Sequence, residues 1–191
     1  MDARGEAERL LDSYAWAESG DPLLTALSIT LVHPADGSAL AALRPRSELP
    51  GPLTVAQALD ETLHLDDFAW GSVVAQTDRL GEWDAIVEPN GWAASMPDTV
   101  ARLSANGVAV SVFWNVNAVI TFSLARAGTL VRTFDGLLYD ADDALPEEAG
   151  LAFGVGAPRA SVLAVMERVT GLHVSRDWVL GSARRTFVVP L

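Results

Sequence analysis

The stretch VAVSVFWNVNAVITFSLARAGTLVRTFD, residues 108–135, sets the architecture. Val108, Val110, Val112 and Trp114 fall on one side of an extended chain, with Ala109, Ser111 and Phe113 on the other. Asn115-Val116-Asn117 reads as a tight connection. Val119 to Leu124 then returns, with Ile120, Phe122 and Leu124 on one face. Ala125-Arg126-Ala127-Gly128 forms a second tight loop, and Thr129 to Phe134 a third strand. β-branched and aromatic residues dominate all three. Connections this short join antiparallel strands, because a parallel pair needs a long crossover.

The flanking segments extend the pattern. Trp70 to Gln76 and Trp83 to Glu88 read as two more strands, joined by the loop Thr77 to Gly81. Pro89-Asn90-Gly91 ends the second one sharply. Leu27, Ile29 and Leu31 alternate with Ser28, Thr30 and Val32, giving a possible N-terminal strand. Helices are expected at Ala3–Trp16, Ser38–Leu43, after Thr54, after Pro97 and over Pro158–Thr170. Thr54 with Gln57 three residues on is a capping box, ahead of Val55, Ala58, Leu59 and Leu63 on one helical face. Trp178–Leu180 and Thr186–Val189 read as short strands or an extended tail. Strands in one block with helices outside it predict an α+β fold. The expectation is one domain over 1–191, with an antiparallel meander sheet of about five strands and helices packed on one face.

Composition narrows the functional classes. The chain has 191 residues, no cysteine, and a net charge of −12. All 13 basic residues are arginine, which fits a GC-rich genome. Thiolate metal sites, disulfides and cysteine nucleophiles are therefore excluded. The negative field repels nucleic-acid phosphates and anionic membranes, and favours a basic protein partner or simple solubility. The opening Met1-Asp2-Ala3-Arg4 has no apolar core behind it, so no secretory signal is read there. A cytoplasmic location is expected.

Few residues point to chemistry. The three histidines, His33, His64 and His173, lack the spacing of ligands on one helix. No cofactor and no metal is expected. Gly154-Val155-Gly156 before Pro158 resembles an anion-binding helix entry, but Arg159 stands where a third glycine belongs, and flexible-loop chemistry explains it better. Asp140, Asp142 and Asp143 suggest calcium until Leu145 and Ala152 are found where an EF-hand needs glycine and glutamate. A solvated acidic loop through Glu148 is the better reading, and the best face for a basic partner. Of the six Trp, Trp83 and Trp114 fit a core, although Trp114 adjoins the Asn115 tip and is kept as a candidate. Trp92, beside Asn90-Gly91, could anchor a recognition patch. Glu88, Asn115 and Asn117 offer polar groups at hairpin ends, where asparagine is also what a turn prefers.

Several segments occur together in a recognisable order: Tyr14-Ala15-Trp16, Ile29 to Val32, Trp83 to Glu88 with Asn90-Gly91, Val110 to Ala118, and Gly128 to Val131 with Phe134-Asp135. In this the chain resembles a family of uncharacterised actinobacterial proteins known only as a domain of unknown function. It departs from the family in the acidic stretch Asp140 to Glu148. The resemblance implies a bacterial cytoplasmic protein and carries no active site. The functional expectation is a non-enzymatic acidic protein-binding module, such as an immunity-type inhibitor. The alternative is a small-ligand binder or an enzyme with a pocket between sheet and helices, near Trp92 or Trp114.

Overall fold

The computed structural model describes residues 3–66 and 71–191. In chain order the elements are α1 (Ala3–Ser13), β1 (Leu27–His33), α2 (Ser38–Leu43), β2 (Ser47–Glu48), α3 (Val55–His64), β3 (Ser72–Leu80), β4 (Trp83–Pro89), α4 (Pro97–Leu103), β5 (Val108–Trp114), β6 (Ile120–Arg126), β7 (Thr129–Asp135), α5 (Pro158–Thr170), α6 (Arg176–Gly181) and β8 (Arg185–Pro190). Short 3-10 turns fall at Ala15–Glu18, Pro22–Leu24, Ala93–Ser95 and Pro146–Glu148. The strands form one antiparallel sheet of eight, in the order β2-β8-β3-β4-β1-β5-β6-β7.

The α+β class and the antiparallel sheet agree with the sequence reading. The count and the topology do not. Two further strands, β2 and β8, come from the proline-rich loop and the C-terminal segment. The meander is interrupted because β1 inserts between β4 and β5. Periodicity shows which segments are extended, but not which long-range partner each one finds. The β3–β4 turn lies at Gly81-Glu82 rather than Thr77–Gly81, since β3 continues to Leu80. Trp178–Leu180 is helical within α6, capped by Ser175 Oγ on the Trp178 N–H at 3.1 Å. The expected start of a strand at Trp70 lies outside the described residues.

Helices cover both faces of the sheet, not one. On the first face Leu27, Ile29 and Leu31 of β1, Val110, Val112 and Trp114 of β5 and Phe122 of β6 pack with Val162, Leu163, Val165 and Met166 of α5. On the second, Val73, Ala75, Ile86, Ala109 and Ala125 pack with Val100 and Leu103 of α4 and Ala39 and Leu43 of α2. β5 is thus covered on both sides: the small Ala109 and Ser111 are buried on the α4 side, and Phe113 on that side is half-buried. α5 is buried continuously from Ala160 to Met166 because α1 and the 3-10 turns Ala15–Glu18 and Pro146–Glu148 cover its outer side. That double cover explains why its sequence lacks a polar stripe. In α3 the capping box of Thr54 and Gln57 forms, but Leu63 points away from the core and is 58% exposed.

The acidic stretch after β7 is solvated at Asp140, Asp142 and Asp143 but anchored at Glu148. Arg132 Nε and Nη2 donate to the two Glu148 oxygens at 2.9 Å each, and its guanidinium also donates to the carbonyls of Asp140 (2.9 Å) and Asp142 (2.8 Å). Tyr139 Oη and the Leu145 N–H complete the shell of Glu148 at 2.8 and 3.0 Å. Burial alone would raise this carboxyl, but Arg132 and these donors together hold it below the usual carboxylate range. Glu148 is therefore a structural anchor, 3% exposed, and not part of an acidic face. Arg132→Ala strands that carboxylate and is expected to cost roughly 3–5 kcal/mol. The double change Arg132→Met with Glu148→Leu should cost clearly less. Urea unfolding of the three proteins measures both.

Candidate functional site

β1 is flanked by β4 and β5, so its residues fix which side chains meet across the sheet. Ser28 faces Glu88 of β4 on one side and Phe113 of β5 on the other. These three form one row on the α4 face. The next row towards the end of the sheet holds Asn90, Ala26 and Asn115. Asn90 closes that end by donating its N–H to the Ala26 carbonyl at 3.0 Å, in a left-handed conformation (φ 56°) that asparagine tolerates.

This end of the sheet is concave. A groove of about 430 Å³ is lined by Ala26, Asn90, Trp92, Phe113, Asn115, Val116, Asn117 and Val119. A second hollow of about 190 Å³ continues from it past Ala26, Asn90 and Val116 to Pro22, Thr25, Leu59 and Leu63. Three exposed apolar side chains stand on these walls: Leu63 (58% exposed), Val116 (71%) and Val119 (38%). They explain why Leu63 leaves the core: it lines the hollow instead.

Behind the groove lies a buried carboxyl. Glu88 is fully buried. Its Oε2 accepts the Ala94 N–H at 3.0 Å, from the 3-10 turn Ala93–Ser95. Neither its Oε1 nor the Oγ of Ser28 beside it makes a well-formed hydrogen bond, although the Ser28 hydroxyl and the Ala93 N–H lie close enough to the carboxyl to favour its charged form. Buried oxygens so poorly satisfied are uncommon in a folded interior and costly to keep, and Gln76 Oε1 and Ser161 Oγ share that state away from the groove. One row further in, Thr30 and Ser111 satisfy each other at 2.8 Å, so the open pair is confined to the row next to the groove. Burial pushes the Glu88 carboxyl up to about 7, against the opposing pull of the Ala94 N–H, the Ser28 hydroxyl and the Ala93 N–H. Gly91 makes the close turn possible: a Cβ there would sit 2.9 Å from Glu88 Cβ and 3.3 Å from Val73 Cβ.

The residues singled out from sequence divide into three groups. Trp92, Asn115 and Asn117 meet at the groove, with Glu88 one row behind. Asn115 does serve the turn: its Oδ1 accepts the N–H groups of Asn117 (2.9 Å) and Val119 (3.3 Å). Trp114 does not join them. Strand alternation sends it to the opposite face, where it is fully buried and donates Nε1–H to the Leu24 carbonyl at 2.7 Å. Asp140, Asp142 and Asp143 are exposed but follow β7, away from the groove lining. Sequence reasoning missed Ser28, Phe113, Ala26 and the Leu59–Leu63 wall. Ser28 carried no signal, because a serine alternating with leucine and isoleucine reads as a solvent face.

Other features find ordinary partners. The N–H groups of Arg159 and Ala160 at the start of α5 both donate to Glu18 Oε1, at 2.8 and 3.1 Å. The chain's own carboxylate thus fills the anion position suggested by Gly154-Val155-Gly156. The histidines stay apart: His33 packs on Trp83, His64 neighbours Asp60, and His173 Nδ1 lies 2.8 Å from Glu167 Oε2. Among the described residues no group of three metal-ligating side chains converges, and no helix is long and apolar enough to cross a membrane.

Residues 9–191 match the model of a family of unknown function, DUF6461. The chain belongs to DUF6461. No curated protein and no solved structure matches it. The DUF6461 match spans the groove, its back wall and the acidic segment alike, so all three belong to the family region of this chain.

Glu88 gives a pH signature. The folded chain keeps its proton to about pH 7, whereas a solvated glutamate releases it near 4.5. Between these values the folded state binds more protons than the unfolded one, so stability falls as pH rises. Full ionisation of Glu88 costs on the order of 3 kcal/mol. Urea midpoints of the parent should drop relative to Glu88→Gln from pH 4.5 to 8. Parallel curves would show that Glu88 titrates normally.

Proposed function

We propose that this protein binds a small amphipathic ligand in the groove at the Trp92 end of the sheet. One observation carries the reading: a buried carboxylic oxygen and a buried hydroxyl, Glu88 Oε1 and Ser28 Oγ, have at best each other and no well-formed hydrogen bond, in the row directly behind a groove with apolar walls. Ligand sites characteristically combine apolar walls with a few placed polar groups, in volumes of roughly 300–1,000 Å³. Trp92, Phe113, Val116 and Val119 offer the apolar surface, and the side-chain amides of Asn115 and Asn117 stand at its rim. The reading is one of binding, resting on the apolar walls and the buried polar pair behind them.

A thermal-shift screen with nucleotides, sugars and other metabolites tests this. A ligand present at about 100 times its Kd adds about 2.7 kcal/mol, a rise of roughly 5–10 °C for a chain of this size. The same ligand should leave Trp92→Ala unshifted. Absence of any stabilising compound at millimolar concentration counts against the groove.

A second reading has its own support. The chain acts as a non-enzymatic acidic module for a basic protein partner in a bacterial cytoplasm, for example as an immunity-type inhibitor of a basic toxin. The net charge of −12 favours it. So does the clamp of Arg132 on the Asp140 and Asp142 carbonyls, which leaves Asp140, Asp142 and Asp143 exposed on an ordered segment. Such a field speeds encounter with a cationic partner and weakens with salt. Affinity capture from the native host at low salt should return a stoichiometric basic protein that high salt removes. A capture lacking one argues against this reading.

A further inference from the structure

We infer that the outer edge of β7, together with the Asp140–Asp143 segment, is a docking site for an extended strand of a basic protein. The inference rests on the second reading above and specifies its surface. The sheet has two edges. One is β2, only two residues long, and the other is β7, with seven. Along an edge strand alternate backbone N–H and C=O groups point outward and need a partner. Among the described residues, none hydrogen-bonds to the outer side of Thr129–Phe134: β7 pairs with β6 alone. The usual protections are thin. The strand holds no proline and no lysine. Its one bulge falls at Val131, between the Leu130–Ala125 and Arg132–Leu124 pairs, and Arg132–Asp135 runs on in regular pairing to the acidic segment. Its one cation, Arg132, is already engaged by Glu148.

The surroundings select the occupant. Past the strand end the Gly154 N–H donates to the Gly136 carbonyl at 2.8 Å and joins two turns. These turns present Leu138 and Val155, 80% and 100% exposed, while Val131 on the strand is 48% exposed. Asp140, Asp142 and Asp143 follow Leu138 in the chain, are exposed, and have no ion-pair partner among the described residues. An extended segment alternating basic and apolar residues matches this surface. Its backbone pairs with β7, its apolar side chains meet Leu138 and Val155, and its cations face the aspartates. A second copy of this chain would bring the same charge of −12 to the interface and is disfavoured.

The test uses the full chain and two probe peptides of equal charge. One is a short alternating arginine–valine peptide, and the other is the same peptide N-methylated at alternate residues so that it cannot pair as a strand. The unmodified peptide should bind at low salt and slow amide exchange along β7 by about tenfold or more. The methylated one should bind at least about tenfold more weakly. The triple variant Asp140→Asn, Asp142→Asn, Asp143→Asn should lose most of the binding while β7 stays folded. Equal binding of the two peptides, without protection of β7, overturns strand docking and leaves the acidic-partner reading standing. Failure of both peptides to bind overturns the two together.

Discussion

Everything in this structure turns on the burial of β1 at the centre of the sheet. Its residues from Leu27 to Val32 are buried without a break, so both faces of the strand and both of its edges must be covered. Leu27, Ile29 and Leu31 meet this through packing against α5 and its neighbours. Ser28 and Thr30 must meet it with hydrogen bonds or by exception. Thr30 finds Ser111, whereas Ser28 has only the buried Glu88 carboxyl beside it and no well-formed bond. The small residues Ala93 and Ala94 let the turn after β4 lie close over this face, which shuts Glu88 away from water. Because β1 starts at Leu27 beside the ends of β4 and β5, the same placement leaves Ala26 as the floor of a groove.

The chain treats its buried charges in two contrasting ways. Arg132 and Glu148 are enclosed together, with every carboxylate oxygen answered by a donor. The buried Arg184 guanidinium and the Trp178 indole both donate to Asp78. Glu88 is the exception, half satisfied and next to a concave surface. A fold that pairs its other buried ions so completely makes this poorly satisfied oxygen informative, since an apolar residue would have packed there at lower cost.

Much of the architecture was legible because short-range chemistry fixes it. The hairpins of residues 108–135, the capping box of Thr54 with Gln57 and the stop at Gly171 depend on residues close in sequence, and all form. Trp92, Asn115 and Asn117 could be proposed from local context, beside a Gly turn or at a hairpin tip. Trp114 takes the core place that its strand position suggested: its neighbours reach the groove, and alternation sends it the other way. The acidic run from Asp140 to Glu148 looked uniform, yet one arginine on β7 divides it into a buried anchor and three exposed aspartates.

The amino-acid pattern alone thus establishes the α+β class, the antiparallel pairing after Val108, and the strongly acidic character that favours cationic partners. Three things come from long-range packing: β1 between β4 and β5, helices on both faces, and Ser28 beside Glu88. A period of two tells which residues share a face, but a strand's neighbours in a sheet are chosen by the burial of whole faces across the chain. A serine that reads as solvent-facing in isolation becomes a buried hydroxyl once α4 and the Ala93–Ser95 turn close over it.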